Sequence, residues 1–235
     1  MNTQPIEKRA DYNQGSTLEV HSIFDTIQGE GPFVGSPSTF IRLAGCNLAC
    51  PLCDTDYTSI RTQMTPEDLV WHLSHVLKHK PGRLIVITGG EPFRQHIEFL
   101  VEQLVDYGYR VQIETNGTLF QTSEYWIHPN VTIVCSPKTP VVNEWLRIFI
   151  HSYKYVMSAD DIGADGLPSH PLDNLVGSER DVARPHPGFE GSIYLQPVDV
   201  SDPHENRRHL EAVIESCMVH GYTLGIQLHK LIGME

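Results

Sequence analysis

The sequence predicts an α/β fold in which a mostly parallel sheet forms a partial, incomplete β/α barrel. Short apolar segments typical of strands alternate with amphipathic segments typical of helices along most of the chain. Polar motifs rich in Gly and Pro come directly after several of these strands, at the edge where parallel sheets hold their ligands. There are too few helix and strand pairs for a closed eightfold barrel. The functional site is therefore expected at the carboxyl ends of the strands.

Residues 1–16 are polar and lack apolar periodicity, so we expect a loose amino-terminal arm. The first strand is predicted over 18–27 and leads into Gln-Gly-Glu-Gly-Pro at 28–32, where the glycines allow a sharp turn or a close approach to a ligand. A short strand over 39–43 carries Arg42 among apolar neighbours. Its guanidinium either reaches solvent or binds an anion, and the pattern leaves both possibilities open.

Three of the five cysteines, Cys46, Cys50 and Cys53, lie within eight residues directly after that strand. A structural zinc site normally uses four ligands in two pairs, and no second Cys or His pair at such spacing follows. An iron–sulfur cluster fits better, because three thiolates leave one iron open to a small molecule. Cys135 and Cys217 lie in strand and helix patterns and are expected to pack in the core.

Helix and strand signals alternate after the cysteine loop. Thr65 followed by Pro66 and two acidic residues is typical of a helix start. The further elements are a strand over 84–88, a helix around 97–105, strands over 111–115 and 131–136, a short helix over 142–151, strands over 153–157 and 192–198, a helix over 203–220 and a strand over 223–227. Between them, 158–191 is expected to be an irregular excursion with at most one helix. A single domain over 1–235 is the expectation for this length.

Composition narrows the class of partner. The formal net charge of −12 argues against a nucleic-acid or membrane-surface binder, since both need a positive field, and favours a small-molecule partner. The amino terminus lacks the apolar centre of a signal peptide, and no apolar run approaches ~18 residues. Five cysteines, an odd number, suit a reducing compartment better than a disulfide framework. We expect a soluble cytoplasmic protein. The 13 histidines are scattered and indicate no metal site.

Taken together, the motifs are far more specific than any one of them. The C-x3-C-x2-C spacing of the cysteine loop, with Gly-Gly-Glu-Pro at 89–92, resembles the radical S-adenosylmethionine superfamily. Further motifs resemble its 7-carboxy-7-deazaguanine synthase family: Phe24-x-x-Ile27-Gln-Gly-Glu-Gly31, Phe40-Ile-Arg-Leu-x-Gly-Cys46, Ile113-Glu-Thr-Asn-Gly117, Ser136-Pro-Lys138, Leu195-Gln-Pro197 and the tail His229-Lys230. The resemblance extends from Phe24 to the carboxyl terminus, except over 140–190.

This resemblance implies a partial barrel of the radical S-adenosylmethionine type and a carbon–nitrogen lyase. The implied reaction converts 6-carboxy-5,6,7,8-tetrahydropterin to 7-carboxy-7-deazaguanine and ammonia by radical ring contraction, a step in 7-deazapurine (queuosine) biosynthesis. The implied cofactors are a 4Fe-4S cluster, S-adenosylmethionine and Mg²⁺. The implied partners are an electron donor such as flavodoxin or ferredoxin and a second copy in a homodimer. No catalytic residue beyond the cofactor is implied.

The resemblance also implies roles for individual residues. Cys46, Cys50 and Cys53 hold the cluster, and Thr55 binds Mg²⁺. The pterin lies against Ile27, Gln28, Gly29, Arg42, Thr88 and Glu235, with the Arg42 guanidinium suited to its carboxylate. S-adenosylmethionine is expected to contact Leu52, Cys53, Asp54, Gly90, Glu114, Ser136, Pro137, Lys138, Gln196, Pro197, Val198 and Asp199. For Glu114 and Lys138 the alternative is an ion pair at the strand ends.

Two other functions are compatible with parts of the pattern. A radical-generating activase of a glycyl radical enzyme uses the same cysteine spacing, although it needs a groove for a polypeptide. A zinc-stabilised binding module without catalysis is the alternative from a different class. The short segment after Cys53 and the long 158–191 excursion depart from the family pattern and leave the side of the site near the substrate open.

Overall fold

The computed structural model describes residues 3–10, 17–51, 53, 55–171 and 181–234. The strands are β1 (Leu18–Ile27), β2 (Pro37–Leu43), β3 (Thr62–Met64), β4 (Leu84–Gly89), β5 (Arg110–Thr115), β6 (Val131–Cys135), β7 (Ile150–Met157), β8 (Ser192–Pro197) and β9 (Thr223–Leu224). The helices are α1 (Pro66–Trp71), which continues as a π-helical turn over His72–Val76, α2 (Glu98–Asp106), α3 (Pro203–His220) and α4 (Leu228–Ile232). Short 3₁₀ turns span Gly31–Phe33, Pro92–Arg94, Glu124–Ile127 and Arg147–Phe149.

The strands form one sheet in the order β3-β1-β2-β4-β5-β6-β7-β8-β9. β1 is antiparallel to β2 and to β3, and every neighbouring pair from β2 to β9 is parallel. Among the described residues the edge strands β3 and β9 do not pair with each other, so the sheet stays open. This confirms the predicted partial barrel. Because the parallel strands end on the same side, the segments that follow them meet there.

The core lies between the sheet and its helices. Ile85 and Ile87 of β4 belong to the same buried cluster as Leu100 and Leu104 of α2. α1 begins as predicted: Thr65 Oγ1 accepts a hydrogen bond from the Asp68 amide at 3.0 Å, while the Asp68 carboxylate accepts one from the Thr65 amide at 3.2 Å. No helix in the described parts of the chain is both long and apolar enough to cross a bilayer.

The bounds of α3 are those predicted from the sequence, but the residues that it buries differ from those that its apolar pattern predicts. The Asp202 side chain caps the start of α3, and Gly221, with φ of 77°, ends it. In the sequence, Leu210, Val213, Ile214, Cys217 and Met218 fall on one side of this helix, a pattern that predicts a buried face. The buried residues are His209, Val213, Ser216 and Cys217, whereas Ile214 and Met218 are exposed. The helix lies beside the edge of the sheet, on β8 and the short β9, and this narrow support covers only part of its apolar side.

Other differences concern weak local signals. The short helix predicted over 142–151 is wrong except for the 3₁₀ turn Arg147–Phe149, because β7 already begins at Ile150. The strand predicted over 223–227 is confined to β9, and neither β3 nor α4 was predicted. In 158–191, the residues 158–171 and 181–191 are irregular and contain no helix, and the remaining residues of that excursion lie outside the described part of the chain.

The amino-terminal arm is not loose where it is described. Residues 3–10 lie against the cysteine loop: Ile6 forms a parallel β-bridge with Cys46, and the Glu7 amide donates to the Cys46 carbonyl at 2.7 Å. The Ala10 amide donates to the Arg94 carbonyl at 2.8 Å. The expectation of a loose arm is therefore wrong for 3–10, while 11–16 lie outside the described residues.

Candidate functional site

The three clustered cysteines follow the carboxyl end of β2, on a loop that is closed at its base. The Gly45 amide donates to the Tyr57 carbonyl at 2.8 Å, and the Cys53 amide donates to the Cys50 carbonyl at 3.1 Å. Burial, followed by the nearby Glu91, raises the pKa of the Cys46 thiol to about 11. Metal binding at Cys46 must therefore displace a proton.

A cavity of about 520 Å³ opens above this loop at the carboxyl ends of the strands, and we call it the cysteine cavity. It is lined by all three thiols together with the predicted residues Thr55, Gly90, Glu114, Ser136, Lys138, Gln196, Pro197, Val198 and Asp199. The structure thus brings together predicted residues from the ends of four parallel strands and from the cysteine loop. Pro137 is buried and does not belong to the described lining.

Position 90 requires a glycine for a reason that could not be predicted from the sequence. We expected it to admit a ligand to the strand end. In the structure a Cβ atom on Gly90 would lie 2.0 Å from the Gly45 carbonyl oxygen and 2.9 Å from Cys46 Cβ. The Glu91 amide donates to that same Gly45 carbonyl at 3.0 Å. Gly90 therefore permits the carboxyl end of β4 to contact the cysteine loop directly.

Glu91 of the same motif is a buried connector between strands. Its carboxylate accepts hydrogen bonds from Thr115 Oγ1 and the Asn116 amide, both at 2.7 Å, and from the Phe93 amide at 3.1 Å. Complete burial raises its pKa to about 7, although these donors favour the charged form. Glu91 joins the segment after β4, and with it the cysteine loop, to the end of β5.

The residues present fit an iron–sulfur cluster and a nucleoside ligand. Among the described residues, no three His, Cys, Asp or Glu side chains converge on a single metal ion, but a cubane does not require this, since each cysteine thiolate binds a different iron. Gln196 Oε1 is buried and has no hydrogen-bond partner in the described part of the chain, so it can accept a bond from a ligand in the cysteine cavity. Lys138 Nζ donates to Ser136 Oγ at 3.0 Å, and both residues line the cysteine cavity.

A second cavity of about 390 Å³ adjoins the first, and we call it the arginine cavity. It is lined by five residues predicted for the substrate, namely Ile27, Gln28, Gly29, Arg42 and Thr88, and by the aromatic residues Phe24 and Phe40. The Arg42 guanidinium lies 5.1 Å from the centre of the Phe24 ring, and the Phe24 and Phe40 rings are stacked 5.4 Å apart. This lining suits a flat ligand with an acidic group.

Six residues line both cavities and form their common wall, and four of them precede the carboxyl-terminal segment: Glu30, Thr55, Glu114 and Lys154. Burial alone would raise the pKa of Glu30, but the ion pair with Lys154 and a hydrogen bond from Gln227 lower it to about 2. Glu114 accepts hydrogen bonds from Gln28, Thr88 and Gln112. The alternative of an ion pair between Glu114 and Lys138 is thus not what the structure contains.

The carboxyl-terminal segment completes this wall. Of this segment, only Glu235 was predicted from the sequence to contact a ligand. Gln227 and Lys230 line both cavities, and His229 lines the arginine cavity. A Cβ atom on Gly29 would lie 2.0 Å from His229 Nδ1, so the first glycine of the Gln-Gly-Glu-Gly loop makes room for this segment. Lys230 Nζ donates to the Asp199 carboxylate at 2.9 Å, which helps to lower the pKa of Asp199 to about 2.

Several residues could not have been found from local patterns. Glu30 and the pair His229-Lys230 lie inside motifs quoted above but carried no predicted contact. Lys154 lies in the middle of β7, and its neighbours in sequence give no sign of Glu30 as a partner. The predicted residues Leu52, Asp54 and Glu235 lie outside the described residues.

Comparisons with known proteins agree with this site. The family model "Radical SAM superfamily" matches residues 40–134. The chain is similar to the 7-carboxy-7-deazaguanine synthase of Rhodospirillum rubrum, with 39% identity over 94% of each chain. It is also similar to that of Rickettsia prowazekii, with 38% identity over 94% of this chain and 90% of the relative. The crystal structure of QueE from Escherichia coli superposes with a TM-score of 0.69 and 25% identity, covering 94% of this chain and 99% of that one.

The lowered pKa of Glu30 predicts a pH-dependent stability. Its pKa in the folded chain, about 2, lies below the ordinary value of 4.5, so the ionised carboxylate stabilises the fold above pH 4.5. This contribution is lost as the pH falls from 4.5 through about 2. We expect the free energy of unfolding of Glu30→Gln, from urea denaturation, to be lower than that of the wild type near neutral pH and less dependent on pH below 4.5.

Replacing an exposed carboxylate on α3, Glu215→Gln, is the matched control and is expected to leave the pH dependence unchanged. Parallel stability curves for Glu30→Gln and the wild type in acid would contradict the assignment of the shift to the pair of Glu30 and Lys154.

Proposed function

Because the chain belongs to the 7-carboxy-7-deazaguanine synthase family of radical S-adenosylmethionine enzymes, we propose that it is a lyase that converts 6-carboxy-5,6,7,8-tetrahydropterin to 7-carboxy-7-deazaguanine and ammonia. This is a step in 7-deazapurine (queuosine) biosynthesis. The observation that carries the proposal is the common wall between the cysteine cavity and the arginine cavity. A cofactor bound in the first lies directly beside a substrate bound in the second. Family membership favours this reaction over the glycyl radical activase and the zinc-stabilised module.

The cysteine cavity holds the cofactors in this proposal. Cys46, Cys50 and Cys53 bind a 4Fe-4S cluster, and the cluster with S-adenosylmethionine supplies the radical chemistry. Ser136, Lys138 and Gln196 line the same cavity and hold the nucleoside through hydrogen bonds and charge. Pro197, Val198 and Asp199 border the same ligand, and Gly90 brings the end of β4 against the cysteine loop. Leu52 and Asp54 are assigned to the same cofactor on the family resemblance alone.

The arginine cavity holds the pterin. The Arg42 guanidinium binds the substrate carboxylate in a planar, two-pronged contact, while the Phe24 ring packs against that guanidinium. Gln28 and Thr88 face the ring heteroatoms, and both donate to Glu114, which fixes their orientation. Ile27, Gly29 and Glu235 are assigned to the same ligand. The Thr55 hydroxyl, in the common wall, contributes one oxygen ligand to Mg²⁺, with substrate oxygens and water supplying the others.

Two further partners belong to the proposed function: an electron donor and a second copy of the chain. An electron donor such as flavodoxin or ferredoxin reduces the cluster, and the reduced thiols suit the cytoplasm. The second copy in a homodimer is supported by exposed apolar side chains in the carboxyl-terminal quarter: Met218 and Val219 on α3 are 82% and 70% exposed, and Leu231 on α4 is 73% exposed.

The decisive experiment follows the reaction in the reconstituted protein. After anaerobic reconstitution with iron and sulfide, we expect a brown, oxygen-sensitive protein that converts 6-carboxy-5,6,7,8-tetrahydropterin, in the presence of S-adenosylmethionine and reductant, to a product lighter by ammonia. Addition of Mg²⁺ is expected to speed the reaction. Formation of 5′-deoxyadenosine with unchanged pterin would show that the substrate is wrong. A colourless protein with stoichiometric zinc would exclude the cluster, and a rate insensitive to Mg²⁺ would exclude the role of Thr55.

Replacement of Arg42 tests the binding of the substrate carboxylate. A charged two-pronged hydrogen bond is worth about 1.5–3 kcal/mol, so we expect Arg42→Ala to raise KM for the pterin by about 10- to 100-fold. Arg42→Lys keeps the charge but loses the planar contact, and an intermediate KM is expected. The matched control is Arg110→Lys, since Arg110 also packs over a phenylalanine ring, that of Phe33, at 4.9 Å, and lines neither cavity. Equal effects at the two arginines would contradict the assignment.

Light scattering tests the homodimer. We expect twice the monomer mass of 26.5 kDa for the wild type. Val219→Lys is expected to shift the protein toward the monomer, because it places a charge among the exposed apolar side chains of α3. Ile127→Lys is the control, since Ile127 is 77% exposed but lies in a different part of the fold. A wild-type protein that is monomeric at all concentrations would refute the dimer.

A further inference from the structure

The described amino-terminal residues contact both ends of the cysteine loop. Near its start, the Glu7 amide donates to the Cys46 carbonyl at 2.7 Å. Near its end, Gln4 Nε2 donates to the Thr55 carbonyl at 2.9 Å, while Gln4 Oε1 accepts from the Tyr57 amide at 2.8 Å and from Thr58 Oγ1 at 3.0 Å. Gln4 and Glu7 are three positions apart in the arm, yet they contact Thr55 and Cys46, which are nine positions apart in the loop.

The arm is itself fastened to the body of the protein by buried charge. Glu7 forms ion pairs with Arg61 and with Arg94, the latter at 3.3 Å. Arg94 is only 4% exposed, and it also donates to the Ala44 carbonyl at 3.0 Å and to the Glu19 carboxylate at 2.6 Å. Ala44 immediately precedes the glycine at which the cysteine loop begins. A buried arginine therefore connects the arm to the root of the loop.

We propose that residues 3–10 form a strap that positions the cysteine loop, with Gln4 as the positioning residue for Thr55 and Glu7 as that for Cys46. The hydrogen bonds of Gln4 fix the backbone at Thr55, whose side chain lies in the common wall of the two cavities. Loss of this contact frees the end of the loop that carries both Cys53 and Thr55. The Mg²⁺ part of this inference rests on the proposed function, whereas the effect on the loop does not.

The strap predicts a local change in thiol reactivity when Gln4 is replaced. Each hydrogen bond contributes about 1 kcal/mol, so losing between one and all three of them in Gln4→Ala is expected to speed alkylation of Cys50 and Cys53 by iodoacetamide about 5- to 150-fold in the protein without a cluster. Site-resolved mass spectrometry measures the rate at each cysteine. Cys135 and Cys217, buried elsewhere in the fold, are internal references and should keep their wild-type rates.

Two further variants separate positioning from general destabilisation. Lys8→Ala is the matched control, because Lys8 is exposed and its hydrogen bond with Arg94, at 3.3 Å, uses only the backbone carbonyl of Lys8. Gln4→Glu keeps the acceptor for Tyr57 and Thr58 but removes the donor to the Thr55 carbonyl. We expect it to give an intermediate alkylation rate. In the reconstituted enzyme it is expected to raise the Mg²⁺ concentration for half-maximal rate several-fold.

Wild-type alkylation rates at Cys50 and Cys53 in Gln4→Ala would overturn the strap. Equal acceleration at all five cysteines would also overturn it, because Gln4 would then act through global stability. The alkylation experiment needs neither cofactor nor substrate. If the pterin is not converted while thiol reactivity changes as expected, the proposed function fails and the strap stands.

Discussion

The fold depends on a backbone contact that leaves no room for a side chain. At Gly90 the end of β4 lies against Gly45, and a single added carbon would collide with the Gly45 carbonyl. The Glu91 amide uses that carbonyl as its acceptor, and the buried Glu91 carboxylate then holds the end of β5. One short motif therefore joins the cysteine loop to two central strands. A loop that carries three thiols for one inorganic cluster needs such a rigid base, because small displacements of the ligands would separate them.

The two cavities share charged residues in place of a hydrophobic partition. Glu30 and Lys154 neutralise each other in the common wall, and Glu114 is held by three neutral donors. Because the charges of Glu30 and Lys154 offset each other, this pair presents little net charge to a ligand in either cavity. The Glu30–Lys154 pair therefore bears both on the stability of the fold and on the charge that the wall presents to the two cavities.

The elements that the sequence predicts correctly are those with a local or repeated signal. The bounds of α3 follow from a capping aspartate, a proline at the first position and a terminal glycine, and the central strands follow from continuous apolar runs. The site residues gathered in the two cavities lie in motifs at strand ends, where topology alone brings them together. The contacts of Gln4 with the cysteine loop and of Lys154 with Glu30 cross 51 and 124 residues of chain. Neither apolar periodicity nor motif spacing in the sequence can predict an individual contact between residues so far apart in the chain.

The contribution of the carboxyl-terminal segment affects when the site can form during synthesis. Gln227 donates to Glu30 across 197 residues, and the Leu228 amide donates to the Gly29 carbonyl at 3.1 Å. The central strands can pair as soon as they leave the ribosome, but the common wall lacks one side until residue 230 has emerged. A nascent chain therefore exposes its cysteines before it can enclose a substrate. The cysteine loop and the common wall can therefore be completed at different stages of synthesis.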